Sequence, residues 1–193
     1  TYNEHGEMVS ETDARGITTG RTVDPLDRVT TMTYPNTSLI VTYQYDTGPF
    51  AKGRLTGLTR NGDTVAYAYD RFGRVTQDGT LTYTYDANGN RTAIGYPGGA
   101  TASYAFDFAD REQSLSLQIG SNPALALAGP ASYQPFGPLA SLPLGNGLTE
   151  TRTYDGRYLP ASIRLAGSSS TLLNWGYALD SVGNVTGITD QLN

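Results

Sequence analysis

The sequence predicts an all-β protein built from repeated antiparallel β-hairpins, and three observations carry that expectation. First, a phrase Tyr-x-Tyr-Asp-x-x-Gly-(Arg/Asn) occurs twice in tandem, as YAYDRFGRV (Tyr67 to Val75) and YTYDANGNRT (Tyr83 to Thr92). Second, hairpin dipeptides punctuate the same stretch: Asn61-Gly62 and Asp78-Gly79 supply the positive φ that tight two-residue turns require. Third, 23 of the 193 residues are glycine, about 12% against a usual ~7%, and only 16% are charged, which suits short strands joined by turns. A chain that repeats one supersecondary unit completes each unit's packing with its neighbours.

Each phrase reads as a strand followed by a turn. Tyrosines two apart (Tyr67 and Tyr69, Tyr83 and Tyr85) share one face of an extended segment. Asp-x-x-Gly then leaves the strand, because aspartate can accept from the amides just ahead and glycine tolerates left-handed backbone. With Asn61-Gly62 as a two-residue loop, Leu58 faces Val65 and Arg54 faces Tyr69. The same rule at Asp78-Gly79 sets Thr76 against Leu81 and Arg74 against Tyr83. Both hairpins thus pair a motif arginine with a motif tyrosine, a cation–π geometry.

Taken in order, the copies are YNEHGEM from Tyr2, VDPLDRV from Val23 and YQYDTGPFAKGRL from Tyr43, the last with an insertion between Asp46 and Gly53. The two clear copies follow, then a Gly95–Gly99 turn, YAFDFADRE from Tyr104, YQPFGPL from Tyr133, TYDGRYLP from Thr153 and YALDSVGNV from Tyr177. The second aromatic slot is filled by Tyr2, Val23, Tyr45, Tyr69, Tyr85, Phe106, Tyr133, Tyr154 and Leu179, which makes nine units and up to eighteen strands. The defining motif residues are Tyr45, Asp46, Gly53 and Arg54; Tyr69, Asp70, Gly73 and Arg74; Tyr85, Asp86 and Gly89; and Tyr154 with Asp155. Residues 120–147 hold five of the ten prolines, so the longest loop or bend is expected there. The repeat resumes beyond it, and 1–193 reads as one region.

The net charge of −5 and the lack of a basic run argue against nucleic acid as a partner. The chain has no cysteine, hence neither disulfides nor thiolate metal sites, and no apolar run approaches the ~18 residues of a membrane span. It opens at Thr1 inside a repeat and reads as part of a longer protein.

Candidate chemistry is sparse. Asp46-Thr47-Gly48 has the letters of an aspartic protease motif, but that chemistry needs two carboxylates sharing a proton, and Asp46 stands at the ordinary turn position. Asp86, Asn88 and Asn90 alternate as in a calcium loop, yet glycine comes too early and Pro97 replaces the bidentate glutamate. His5 is the only histidine and has no relay or nitrogen-rich neighbourhood in the sequence. No catalytic residue, metal or cofactor is therefore expected. Asn36-Thr37-Ser38, Asn90-Arg91-Thr92 and Asn184-Val185-Thr186 are glycosylation sequons, meaningful only in a eukaryotic secretory protein. The tyrosine pairs could stack on sugars, although aromatics at strand spacing more often pack across strands.

YDRFGRV, YDANGNRT and the run PLGNGLTETRTYDGRYLPASI (Pro143 to Ile163) resemble the YD repeats of the RHS family, which includes bacterial Rhs proteins, C components of insecticidal toxin complexes, wall-associated proteins and teneurins. The resemblance implies a long sheet of hairpins spiralling into a hollow shell around a C-terminal toxin polypeptide, in a secreted or exported bacterial protein. Its partners would be that polypeptide and adjacent shell repeats. The self-cleaving core that follows the repeats in that family is not visible. An extracellular adhesion or carbohydrate-binding module is the alternative, with glycans as partners.

Overall fold

The computed structural model describes residues 1–35 and 39–192. The Asn36-Thr37-Ser38 sequon lies outside the described residues. The described chain is all-β, as the sequence predicts, and holds eighteen strands joined by short turns. Contacts divide it into two compact units, Thr1–Tyr83 and Thr84–Asn193.

The first unit contains β1 (Ser10–Thr12), β2 (Thr18–Val23), β3 (Val29–Thr33), β4 (Val41–Tyr45), β5 (Leu55–Arg60), β6 (Asp63–Tyr69) and β7 (Val75–Asp78). The division falls within β8 (Leu81–Tyr85). Through β7 each strand is antiparallel to its predecessor. The tyrosine pairs lie as their spacing requires: in β4, Val41, Tyr43 and Tyr45 are half-buried while Thr42 and Gln44 are exposed. The opposite face carries threonine pairs, such as Thr59 with Thr64 at 2.9 Å.

The Asn61-Gly62 hairpin has the expected register, with Leu58 opposite Val65 and Arg60 opposite Asp63. Asn61 (φ 50°) and Gly62 (φ 85°) both occupy the left-handed region. At the second dipeptide the expected register is corrected. Asp78 pairs with Leu81 and Gln77 with Thr82, so the loop is Gly79-Thr80 and Asp78 belongs to the strand. Of these, only Gly79 has positive φ (59°), the pattern of a turn with glycine at its first central position. That register places Thr76, rather than Arg74, across from Tyr83.

The second unit contains β9 (Arg91–Gly95), β10 (Ala100–Phe106), β11 (Glu112–Ile119) and β12 (Leu125–Ala128), then β13 (Ser132–Tyr133), β14 (Leu139–Pro143), β15 (Thr149–Tyr154), β16 (Pro160–Ala166), β17 (Thr171–Leu179) and β18 (Val185–Asp190). Antiparallel pairing runs in sequence order from β9 to β12 and again from β13 to β18. Residues 120–147, where a long loop or a bend was expected, hold three strands, and the ladder breaks between β12 and β13. The prolines stand where a missing N–H does little harm: Pro138 precedes β14, Pro143 ends it, and Pro130 separates β12 from β13. The break is bridged by Gly129 N–H to Pro143 O and by Gly145 N–H to Leu127 O, both 2.8 Å.

Among the described residues no large side chain is fully buried, and the enclosed positions are Ala51, Thr56, Gly57, Ala102 and Ala166. Cohesion thus rests less on a dense core than on ladders, turns and links between neighbouring repeats.

Candidate functional site

Apart from Asp46, whose turn carries the insertion, the motif aspartates close the same small turn. At Asp70, its N–H donates to Arg74 O (3.0 Å), and the Gly73 N–H returns to Asp70 O (2.9 Å). The carboxylate accepts from the amides of Phe72 (2.8 Å) and Arg74 (3.0 Å) through Oδ1, and from Arg74 Nε (2.6 Å) through Oδ2. Asp24, Asp107, Asp155 and Asp180 repeat both backbone bonds. Asp86 does too, with Gly89 and Asn90 as the amides on its carboxylate. The fourth residue is left-handed, which explains the motif glycine: Gly73 has φ 81° and Gly89 φ 99°. Asp27, Asp110 and Tyr158 hold that position without glycine, at φ 60°, 58° and 62°. One such turn, Asp13 to Ile17, escaped the sequence reading because no tyrosine precedes it, although its Asp-x-x-Gly signal is plain.

The arginine that follows the turn links one repeat to the next. Arg28 binds Asp24 of its own turn and lies over the ring of Tyr45 in the following repeat, 4.4 Å from its centre. It also reaches Asp46 of the next turn, Nη2 to Oδ2 at 2.6 Å. Arg54 over Tyr69 (5.3 Å) and Arg111 over Tyr133 (4.3 Å) repeat the stacking. Arg74 lies 5.1 Å from the ring of Phe72 in its own turn. Side-chain hydrogen bonds from Arg28, Arg28 and Arg111 respectively are the foremost cause holding Asp24, Asp46 and Asp107 below ordinary carboxylate values.

A bulge and a hydroxyl complete the link. The ladder slips by one residue immediately before Val23, Tyr45, Tyr69, Phe106, Tyr133, Tyr154 and Leu179, so two residues after the turn oppose that slot. A bulge disrupts regular pairing locally. The carbonyl of its first residue is then capped by the tyrosine of the next repeat: Tyr45 Oη donates to Val29 O (2.8 Å), Tyr69 to Leu55 O (2.7 Å) and Tyr154 to Leu139 O (2.7 Å). Tyr133 does the same to Glu112 O. The sequence reading did not find these bulges, since no residue type marks them.

The structure thus places Tyr45, Asp46, Gly53, Arg54, Tyr69, Asp70, Gly73, Arg74, Asp86, Gly89, Tyr154 and Asp155 in turns and at the strand ends beside them, with Tyr85 ending β8. Asp155 has Leu159 at the usual arginine position; Arg157 binds its carboxylate and reaches Ser181 O (2.8 Å) in the next turn. Asp46 uses its carboxylate on Gly53 N–H and the Arg28 guanidinium. The side-chain amides of Asn88 and Asn90 both donate to Asp110, a link between neighbouring turns. His5 is exposed and its Nδ1 lies 2.8 Å from Asp27 Oδ1.

These features define a β-hairpin repeat protein whose motif residues are spent on turns and on the joints between repeats. Residues 2–39 match the family model described as RHS Repeat. No curated protein matches the chain in a sequence search. Solved structures share its fold. A crystal structure of TcdB2-TccC3-TEV superimposes with a TM-score of 0.78 at 15% identity, over 99% of this chain and 11% of that one. A TcdB2-TccC3 crystal structure gives 0.77 at 15% identity over 97% of this chain and 11% of the other. The Photorhabdus luminescens Tc holotoxin pore gives 0.69 at 16% identity, again over 97% and 11%. The chain therefore spans about a ninth of the chains it matches.

Proposed function

We propose that this chain is a non-catalytic wall segment of an RHS/YD-repeat β-shell that encloses a C-terminal toxin polypeptide, in a secreted or injected bacterial toxin. One observation carries the reading: at several places along the chain the motif arginine or tyrosine joins a repeat to its neighbour, so the recurring chemistry serves wall continuity. The shared fold with toxin-complex structures supports it. The partners are neighbouring repeats of the same wall and the enclosed polypeptide.

Protease protection tests this on the natural full-length protein. The expected result is that a polypeptide carried C-terminal to the repeats survives a protease that removes an exposed tag, and becomes sensitive when the repeats are unfolded. A glycan array on this chain reads out the competing adhesion function, which specific binding lost on Tyr69→Ala would favour. Peptide or glycan hydrolysis by the purified chain that disappears in Asp46→Asn would overturn the non-catalytic part.

A further inference from the structure

We infer that Asn61 is a self-modification site: its side-chain amide is lost by deamidation through the Gly62 nitrogen, and the isoaspartate product loosens the β5–β6 hairpin. The inference is independent of the wall-segment reading, and water is its one co-reactant.

Three Asn-Gly dipeptides occur in the chain, Asn61-Gly62, Asn88-Gly89 and Asn146-Gly147, and all six residues are exposed. Solvent access therefore does not separate them, but hydrogen bonding does. The reaction needs two groups to be free. The glycine nitrogen, once it has lost its proton, attacks the asparagine side-chain carbonyl carbon. A new C–N bond closes a five-membered succinimide, and the side-chain nitrogen departs as ammonia. Water then opens the ring at either carbonyl, giving aspartate or isoaspartate.

At Asn88 both groups are held. Its Nδ2 donates to Asp110 Oδ1 (2.8 Å), and the Gly89 N–H donates to the Asp86 carboxylate (2.8 Å), whose negative charge opposes loss of that proton. At Asn146 the side-chain oxygen accepts from the Leu148 amide (3.2 Å), and the Gly147 N–H donates to Leu144 O (3.0 Å). At Asn61 neither the side chain nor the Gly62 N–H has a hydrogen-bond partner among the described residues. Nothing lies within 4 Å of a Cβ placed on Gly62, so the approach is open. Ring closure requires Asn61 to rotate out of its left-handed turn, and no side-chain bond resists that rotation.

The two products treat the hairpin differently. Aspartate keeps the main chain, and Asp-Gly suits a two-residue turn as Asn-Gly does. Isoaspartate adds one carbon to the main chain inside the loop, which strains the pairing of Arg60 with Asp63 and of Leu58 with Val65. Leu55 and Tyr69, whose hydrogen bond joins neighbouring repeats, stand at the far end of the same two strands.

The test holds the folded full chain at mildly alkaline pH and follows each dipeptide by peptide mass spectrometry, with fragmentation that separates aspartate from isoaspartate. Asn61 should convert about tenfold or more faster than Asn88 and Asn146, whose bonds must open first. In concentrated urea the three rates should converge. Chains carrying isoaspartate at position 61, isolated by chromatography, should melt below the parent, whereas Asn61→Asp should melt with it. Comparable conversion at all three sites of the folded chain, or faster conversion at Asn88 or Asn146, overturns the inference. A ranking that persists in urea overturns hydrogen bonding as its cause. An isoaspartate form that melts with the parent overturns the effect on the hairpin.

Discussion

The Tyr69 hydroxyl donates to the carbonyl of Leu55 at 2.7 Å, while Arg54, the residue before Leu55, lies over the same ring. One tyrosine thereby fastens two consecutive repeats through both its edge and its face. Tyr69→Phe keeps the ring and the cation–π contact and removes only the hydroxyl. It should lower stability by about 0.5–1.5 kcal/mol, the net worth of an ordinary hydrogen bond. Urea denaturation checks it, and an unchanged midpoint would show that the hydroxyl contributes nothing to the joint.

Two glycines should respond differently to a side chain. Nothing lies within 4 Å of a Cβ added at Gly62, so Gly62→Val suffers only from its left-handed backbone, φ 85°. The cost should be about 1–3 kcal/mol. At Gly145 a Cβ would collide with the backbone carbonyl of Ala126. Gly145→Ala should therefore cost more than Gly62→Ala, and thermal melts of the two variants rank them.

His5 reports on the contact between two neighbouring turns. The hydrogen bond that the His5 imidazole donates to the Asp27 carboxylate is the foremost cause raising its pKa above the ordinary 6.5. A raised folded value favours the protonated form, so the contact's stabilisation is present below about 6.5 and fades as pH rises through the folded pKa. Proton NMR should titrate His5 above 6.5, and Asp27→Asn, which tolerates the left-handed backbone, should bring it back down. An unshifted His5 in the parent chain would mean that the pair does not form in solution.

Acid should loosen the turns together. Asp24, Asp86 and Asp107 are held below the ordinary 3.8, foremost by the side chains of Arg28, Asn90 and Arg111. Depressed folded values stabilise above the unfolded pKa, and that contribution is lost as pH falls through the folded ones. The part of the urea midpoint that these carboxylates supply should stay level from neutral pH to about 5 and drop below about 4. Asp107→Asn should lower it at neutral pH and flatten the acid loss.

Much of this protein was legible in its residues because the determining physics is local. Asn61-Gly62 set its hairpin's register through the positive φ that both residues adopt, and Asp-x-x-Gly determined the turn, whose bonds lie within five residues. Tyrosine spacing likewise determined which face those rings share. The tertiary structure decided what depends on a neighbour. Asp78-Gly79 carries an equally strong dipeptide signal, but strand pairing drew Asp78 into β7 and moved the loop to Gly79-Thr80. The proline-rich residues 120–147 formed strands because their prolines fall at strand ends, a placement that composition cannot express. The tyrosine hydroxyls that cap the bulges find their acceptors only when the next hairpin packs alongside, joining groups about 14–21 residues apart. Local backbone preference wrote the turns, and the joints between repeats waited for strands to meet.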